Sequence, residues 1–508
     1  MDVMTRRSFV KSASAGTAGG AWVLPGAWLQ SSPAAPSGYF SSEFGISDEL
    51  CKKVLATALA KGGDFADLFF EHTIRNYVIL EDGKVNRAYG SVALGVGIRT
   101  VKGDQVGYGF TQELHEKSML TAAATAATIA GGSTQGPVAA WHSGKAQNYY
   151  PLSRLYTQVP LTEKLPLVQS ANDKCFRLSP QIVKVNAVLS DEQKRILIVT
   201  SDGARVEDLQ PNSYLSVSVT AEKSGRRERA GWNQGGRKDF SFYTPALVDE
   251  LCQEAVQRVL VLFEAQKPPA GEMPVVLGPG VTGILLHEAI GHGMEADFNR
   301  KKISTYATMI GKKVAEPFVS IIDDGTQEGM VGSLNVDDEG TATQKTVLVD
   351  KGILSSYMHD KISARFYRVK PTGNGRRESY EHYVQPRMRN TYMPAGPATP
   401  EEVIRSVSKG IYVKDVSNGQ VKIGEGDFAF YVSQGQMIEN GKLTAPIKDV
   451  NIMGNGPKML ANVTMVANDL QFYRGGAGMC GKGGQGVSVG FGQPTILVKS
   501  MTVGGLNG

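Results

Sequence analysis

The sequence predicts an α+β protein: an N-terminal α/β region in which helices alternate with antiparallel strands, then a mostly antiparallel β region with one embedded helix. Three observations predict it. Glycine is in excess, 59 of 508 residues against a usual share of roughly 7%, which favours turns and strands over a helical bundle. In the first half, amphipathic runs alternate with β-rich runs joined through Asp-Gly pairs. In the second half, strand-like runs follow one another almost without helical interruption.

The first residues read as an address. "TRRSFVKSASAGTAGGAWVLPGAWLQ" carries Arg6 and Arg7 ahead of Phe9, Lys11 and a mildly apolar Ala/Gly stretch, which resembles the twin-arginine export signal of bacteria. Pro25 and the glycines make it a poor membrane span. Residues 1–37 are therefore expected to be a signal cleaved near Ala34 or Ala35. The mature chain would start around Gly38 and lie in the periplasm or another extracytoplasmic space. No later stretch is long and apolar enough to cross a membrane, so no span is expected after signal removal.

The next elements follow from caps and periodicity. "ISDELCKKVLATALAKGG" predicts a helix capped by Ser47 and stopped at Gly62. "DLFFEHTI", "YVILEDGKVNRAYG", "VALGVGIRTV" and "QVGYGFT" predict strands, with a hairpin at Asp82–Gly83. "LHEKSMLTAAATAATIAGG" predicts a helix. From about Leu161 a second helix-then-strands block begins, with "KRILIVTSDGARVEDL" and "SYLSVSVTAEK" around Asp202–Gly203. It closes with the long amphipathic helix "TPALVDELCQEAVQRVLVLFEAQ", capped by Thr244. The paired Asp-Gly hairpins hint at a weak duplication without a strict repeat period. "KPPAG" (267–271) reads as a linker between a domain of residues 38–266 and one of 272–508. Beyond it, "MPVVLGPG", "FVSIIDDG", "KTVLVDKGILSSYMH", "GIYVKDVSNG", "FAFYVSQGQMIENGKLTAPIKDVNIMG" and "PTILVKSMTV" read as strands. Only Gly280–Phe298 and "TPEEVIRSV" read as helical there.

Composition excludes several classes. A net charge of +5 on this length gives no reason to expect nucleic acid. The basic run "KSGRRERAGWNQGGRK" around Trp232 reads as a solvated hairpin tip. Cys51, Cys175, Cys252 and Cys480 have no paired spacing, so no disulfide framework is expected.

One segment carries chemistry: "LLHEAIGHGMEADFNR", Leu285 to Arg300. His287, Glu288 and His292 resemble the H-E-x-x-H pattern of zinc proteases, with one residue too many between the histidines. Residues advance ~100° each on an α-helix, so these imidazoles would sit ~140° apart and miss a common tetrahedral ion. A π-bulge widens the turn and restores convergence, with Gly291 a plausible place for the helix to loosen. The apolar Val281, Ile284 and Leu285 can anchor such a helix in a core. Rigid imidazoles, an open position and a carboxylate able to take a proton from water are what a zinc hydrolase needs, so Glu288 is the candidate general base. The third ligand must come from elsewhere. Glu295 and Asp297 are near in sequence, and Cys480 lies in "GGAGMCGKGGQG". His72, His115, His142, His359 and His382 read as ordinary surface or core residues. Tyr392, Tyr431 and Arg387 are candidates for stabilising an oxyanion.

Two other matches fail on context. "GKGGQG" fits the dinucleotide fingerprint G-x-G-x-x-G, but the following "VSVGFGQP" cannot be the helix that fingerprint opens. "GVSVG" fits a serine-hydrolase elbow at Ser488, but no histidine follows His382 to complete a downstream triad.

Taken together, "LLHEAIGHGMEADFNR", "DDEGTATQ", "RMRNTYM", "VKIGEGDFAFYVSQGQMIENGK" and "MCGKGGQGVSVGFGQPTILVKSMTVGG" resemble the TldD/PmbA metalloprotease family. "DFADLFFEHTIRNYVILEDGKV" and "GVGIRTV" extend the resemblance more diffusely into the first domain. It implies an α/β N-terminal domain, a β-rich C-terminal domain and one metal ion, zinc, with iron or another divalent metal as alternatives. The ligands it implies are His287, His292 and Cys480, with Glu288 as general base. Partner-type subunits of the family lack the helix motif, so the resemblance is to the catalytic type. Such subunits act on peptides that are already unfolded, beside an inactive partner subunit; a homodimer is the other arrangement. The export signal departs from the best-known cytoplasmic members and leaves the substrate open. The alternative is a non-enzymatic peptide-binding subunit with a structural metal, which a fourth ligand from Glu295 or Asp297 would favour.

Overall fold

The computed structural model describes residues 38–132, 136–141, 147–422 and 424–504. The twin-arginine stretch, its cleavage point and His142 lie outside the described residues. The first half is built from α1 (Tyr39–Phe44), α2 (Asp48–Ala58), β1 (Phe65–Glu81), β2 (Lys84–Lys102), β3 (Gln105–Thr111) and α3 (Glu116–Ala127). It continues with α4 (Leu161–Leu178), β4 (Ile182–Thr200), β5 (Arg205–Lys223), β6 (Arg226–Gly236) and α5 (Pro245–Val261). The strands form one antiparallel sheet of order β3-β2-β1-β4-β5-β6. Read outward from the β1–β4 pair, each side is a three-stranded meander preceded and followed by helices. The duplication hinted at by the Asp-Gly hairpins is thus visible as topology.

Local chemistry sets these elements. Ser47 accepts from the Leu50 N–H at 3.1 Å and Thr244 from that of Leu247 at 3.2 Å, each satisfying a free helix-end donor. Asp82 and Gly83 both have positive φ, 49° and 77°, as a two-residue hairpin loop requires. The sequence splits Phe65–Glu81 into two strands, but the structure runs it as one. Its polar middle is satisfied across the sheet: Arg75 Nε donates to Glu192 at 2.6 Å and Asn76 Nδ2 to Asp191 at 2.8 Å.

Side-chain alternation gives the sheet two faces. On β1, Leu68 and Phe70 bury against α2 and α3, and Val78 and Leu80 share a core with α4 and α5. The odd-numbered residues face the second half: Phe69 packs with Val336 and Tyr380. There, Gly271–Leu277 pairs in parallel with Lys409–Lys422 and antiparallel with Ile496–Gly504. Val450–Asn455 pairs with Ile496–Gly504 and with Asp427–Glu439, which returns to Lys409–Lys422. These strands close a ring. Its residues Val275, Val413, Phe430, Ile452 and Val498 share one core with Leu285, Leu286, Ala289 and Ile290 of the embedded helix. Two short helices that the sequence does not signal, Lys361–Tyr367 and Gly456–Ala461, are too short to show a period and are held by the caps Asp360 and Asn455. Among the described residues no helix is long and apolar enough to cross a membrane.

A buried ion network joins the halves. Asp67 and Arg99 are direct partners across β1–β2. Arg99 pairs with Asp67 and, at 2.7 Å, with Glu339, while Arg377 reaches Asp67 at 2.9 Å. All are buried. Burial and the Glu339 charge push Asp337 up to about 7 and Asp360 up to about 6.

Two predictions follow from this network. Glu339→Gln leaves Arg99 short of a partner and should cost about 3–5 kcal/mol, read as a lower denaturant midpoint. Asp337 and Asp360 are raised above ordinary carboxylate values, so the folded state binds more protons than the unfolded chain. The contribution of these two sites to stability should fall as pH rises from about 4 through about 7, against the opposite trend of His359, which burial lowers to about 4, and Asp337→Asn should remove its part of that fall.

Candidate metal centre

The helix that carries the histidines is irregular where the spacing demands it. Ile284–Leu286 is α-helical, His287–Gly291 is a π-turn, and His292–Met294 tightens to a 3₁₀ turn. The widened turn brings the imidazoles to a centroid separation of 5.1 Å with planes at 83°. Gly291 serves a different purpose from the one expected. Its φ of −58° is ordinary helix, but a Cβ there would meet Met388 Sδ at 2.0 Å. The glycine makes room for Met388, and the backbone does not need its freedom.

Cys480 arrives from the other side on a hairpin, Met479–Lys482 paired with Gln485–Ser488. Gly483 and Gly484 turn it with φ of 57° and 77°, so the glycine run that mimics a dinucleotide fingerprint is a tight turn. Alternation along the strand sends Cys480 and Lys482 inward and leaves Met479 exposed. Cys480 Sγ lies 3.3 Å from His292 Nε2. Donor atoms of His287, His292 and Cys480 all lie within 4.8 Å of one another, the one such group of three or more ligand residues among the described residues. All three side chains are buried.

Protons at the cluster are placed by its charges. Glu295 accepts from His292 Nδ1 at 3.0 Å, which leaves Nε2 facing Cys480. Lys482 Nζ sits 3.1 Å from Glu295 and 2.8 Å from Asp297. Burial would raise Glu295, but Lys482 and His292 hold it down to about 2. Burial would lower His292, but Glu295 and Cys480 hold it well above the usual imidazole range. Burial would raise the Cys480 thiol, but His287 and His292 hold it well below the usual thiol range. Arg387 donates to the carbonyls of Cys480 and Gln485, fixing the hairpin backbone from behind. Glu288 remains at the edge of the cluster: its Oε2 is 3.7 Å from His292 Nε2, and its side chain is 21% exposed.

These residues fit a divalent ion. Both ring nitrogens of His287 are buried without a hydrogen-bond partner, an arrangement worth roughly 1–3 kcal/mol of destabilisation per group unless something ligates one of them. Two imidazoles and a thiolate are a zinc donor set, and a carboxylate on the far nitrogen of a ligating histidine is the usual outer support. Glu295 Oε2 and Asp297 meet His292 and Lys482, and neither residue belongs to the group of converging donor atoms. Arg387 serves the hairpin, Tyr431 donates to Asp449 at 3.1 Å, and Tyr392 packs edge-on against Phe472. His72 bonds Tyr39, His115 caps α3 and His382 meets Ser379; none of them joins the cluster. Sequence reasoning missed Lys482, whose signal was its place two residues from Cys480 on the same strand face. It also missed Glu295 as an orienting group, having weighed it only as a ligand.

Known proteins resemble this chain along most of its length. Models of the PmbA/TldA metallopeptidase family match it as domain 1 at residues 66–130, the central domain at 155–263 and the C-terminal domain at 270–505. A metalloprotease TldD homolog of Haemophilus influenzae is 39% identical over 454 residues, 87% of this chain and 93% of that protein. A zinc metalloprotease TldD homolog of Saccharolobus solfataricus is 26% identical over 462 residues, 89% of this chain and 99% of that one. In fold, the crystal structure of TldE from Thermococcus kodakarensis superposes with a TM-score of 0.70 at 17% identity, over 90% of this chain and 100% of that chain.

Plasma mass spectrometry should find about one zinc per parent chain and little in Cys480→Ser or His292→Ala. Glu295→Gln keeps every ligand and should weaken zinc affinity roughly 10–100-fold, measured by competition with a chelator.

Proposed function

The chain belongs to the PmbA/TldA metallopeptidase family, and on that premise we propose that it is a zinc-dependent peptidase cleaving unfolded peptides with little sequence preference. The observation that carries this reading is the buried His287–His292–Cys480 cluster with the partly exposed Glu288 carboxylate beside it. A zinc ion held by those three residues would supply Lewis-acid polarisation of the scissile carbonyl and of an attacking water. Glu288 takes the water's proton on its carboxylate and passes it to the leaving amine. Glu295, accepting from Nδ1, fixes the orientation of His292 and keeps Nε2 available as a donor atom. Lys482 and Arg387 hold the cysteine hairpin in place. A thiolate donor carries more charge than a third imidazole, so slow turnover is expected.

Several features support the substrate class. The donor atoms are buried, which keeps a folded surface from them and favours an extended chain as the substrate. Backbone pairing of such a chain carries little sequence information. That neither Glu295 nor Asp297 joins the converging donor atoms weighs against a saturated structural site and hence against a non-enzymatic peptide-binding subunit. The same proposal includes a domain boundary at Lys267–Gly271, between residues 38–266 and 272–508. It includes twin-arginine export to the periplasm, and work beside an inactive family partner as a heterodimer, or as a homodimer.

Peptide mass mapping of a reduced, unfolded protein beside its native form tests this reading. Cleavage of the unfolded form alone is expected. Glu288→Gln should lower kcat by about 10²–10⁴-fold while retaining its zinc; full activity in that variant would contradict the proposed role.

A further inference from the structure

A cavity of about 470 Å³, lined by none of His287, Glu288, His292 or Cys480, is not used by the peptidase reading. Its volume falls within the ~300–1,000 Å³ of small-molecule sites. Asn299 and Arg300 line it from the end of the histidine-bearing segment, and Tyr357 and His359 from the loop before Lys361–Tyr367. A single bridge ties that loop to the helix: Ala296 N–H donates to Met358 O and Met358 N–H to Met294 O, each at 3.0 Å.

Part of the lining is apolar and aromatic. His359 and Tyr367 meet at 5.4 Å between centroids, while Phe366, Val369 and Ile310 are 58%, 50% and 47% exposed. Apolar side chains clustered this openly mark a contact surface more often than chance exposure does. The lining is also cationic: Arg300, which lies over the Phe366 ring at 6.0 Å, Lys302 and Lys370 line the cavity, and no aspartate or glutamate does. Arg300 Nη1 meets Asp104, which is not part of the lining, at 3.1 Å.

Two buried nitrogens on the lining residues lack partners. His359 is 4% exposed and its Nδ1 makes no hydrogen bond; Arg300 Nε is likewise buried and unpaired, in a side chain 8% exposed. Buried polar groups are normally satisfied by protein or by ordered water. An acceptor-rich anion answers the cations and an apolar body answers the aromatic wall. We propose that this cavity binds a small carboxylate with an apolar body, held by Arg300, Lys302 and Lys370 at its charged end and by Phe366, Tyr367 and Val369 along its length.

The probe is N-acetylphenylalanine, titrated calorimetrically into the zinc-loaded full chain, with N-acetylphenylalanine amide and acetate alongside. Saturable one-to-one binding is expected, weakened about tenfold or more in the amide, which loses the charge-assisted hydrogen bonds. Acetate, lacking the apolar body, should bind weakly or not at all. The double variant Lys302→Ala/Lys370→Ala changes two exposed side chains. It should bind about tenfold less tightly or worse with an unchanged unfolding midpoint. Binding should persist after the metal is removed with a chelator. No saturation at millimolar ligand would overturn the proposal, as would equal affinity for the amide. Binding that is lost on chelation but indifferent to the lysines would place the ligand on the metal centre and overturn it equally.

Discussion

The π-turn at His287–Gly291 is the constraint on which the rest of the centre depends. A regular helix would send His287 and His292 to different faces; the widened turn aims both at one point, where Cys480 waits on a separate hairpin. A π-turn is rare and disturbs the hydrogen-bond ladder, so it persists only where packing holds it. Here it is held by a core. Leu285, Leu286, Ile290 and Met294 are fully buried, and Met388 fills the space that Gly291 leaves open. The hairpin is tied to the helix by a second link beside the donor atoms, in which Lys482 grips Glu295 and Asp297. Thiol, imidazole, carboxylate and ammonium therefore form one alternating series from Cys480 to Lys482. A divalent ion entering such a site displaces protons, so affinity and pH are linked through the same residues.

The short stretch "RMRNTYM" shows how little slack this arrangement has. Arg387 holds the carbonyls of Cys480 and Gln485, and Met388 sits against Gly291. Arg389 pairs with Asp323 at 2.8 Å, and Asn390 donates to Asp324 O at 2.8 Å. Consecutive residues thus serve the hairpin, the helix and the neighbouring strand in turn. The N-terminal sheet joins the same scaffold through the buried pairs of Asp67 and Arg99 with Arg377 and Glu339. The halves are thereby locked by charge as well as by the Phe69–Tyr380 contacts.

Much of this was legible in the sequence, for identifiable reasons. Caps at Ser47 and Thr244 and the Asp82–Gly83 turn act locally, so a few residues suffice to read them. The His287–His292 spacing has a geometric consequence, the widened turn, that follows without knowing the fold. Cys480 could be linked to the histidines only through the family resemblance, since it lies far away in sequence and the hairpin that delivers it is defined by tertiary packing. Glu295 was visible but its role was not: whether a carboxylate ligates a metal or orients a histidine depends on which ring nitrogen it meets. Lys482 and Arg387 act across the interface between hairpin and core, a relation that no periodicity encodes. The unbroken run of β1 was missed because Arg75 and Asn76 look like a break until their partners on β4 are in place.

X-ray absorption at the zinc edge of the loaded protein tests the central claim most directly, since it counts the atoms around the ion by type and distance. One sulfur at about 2.3 Å and two imidazole nitrogens at about 2.0–2.1 Å are expected, with a remaining light atom that is not supplied by the protein. A shell without sulfur, or one with a single imidazole, would mean that the π-turn and the hairpin do not converge on the metal.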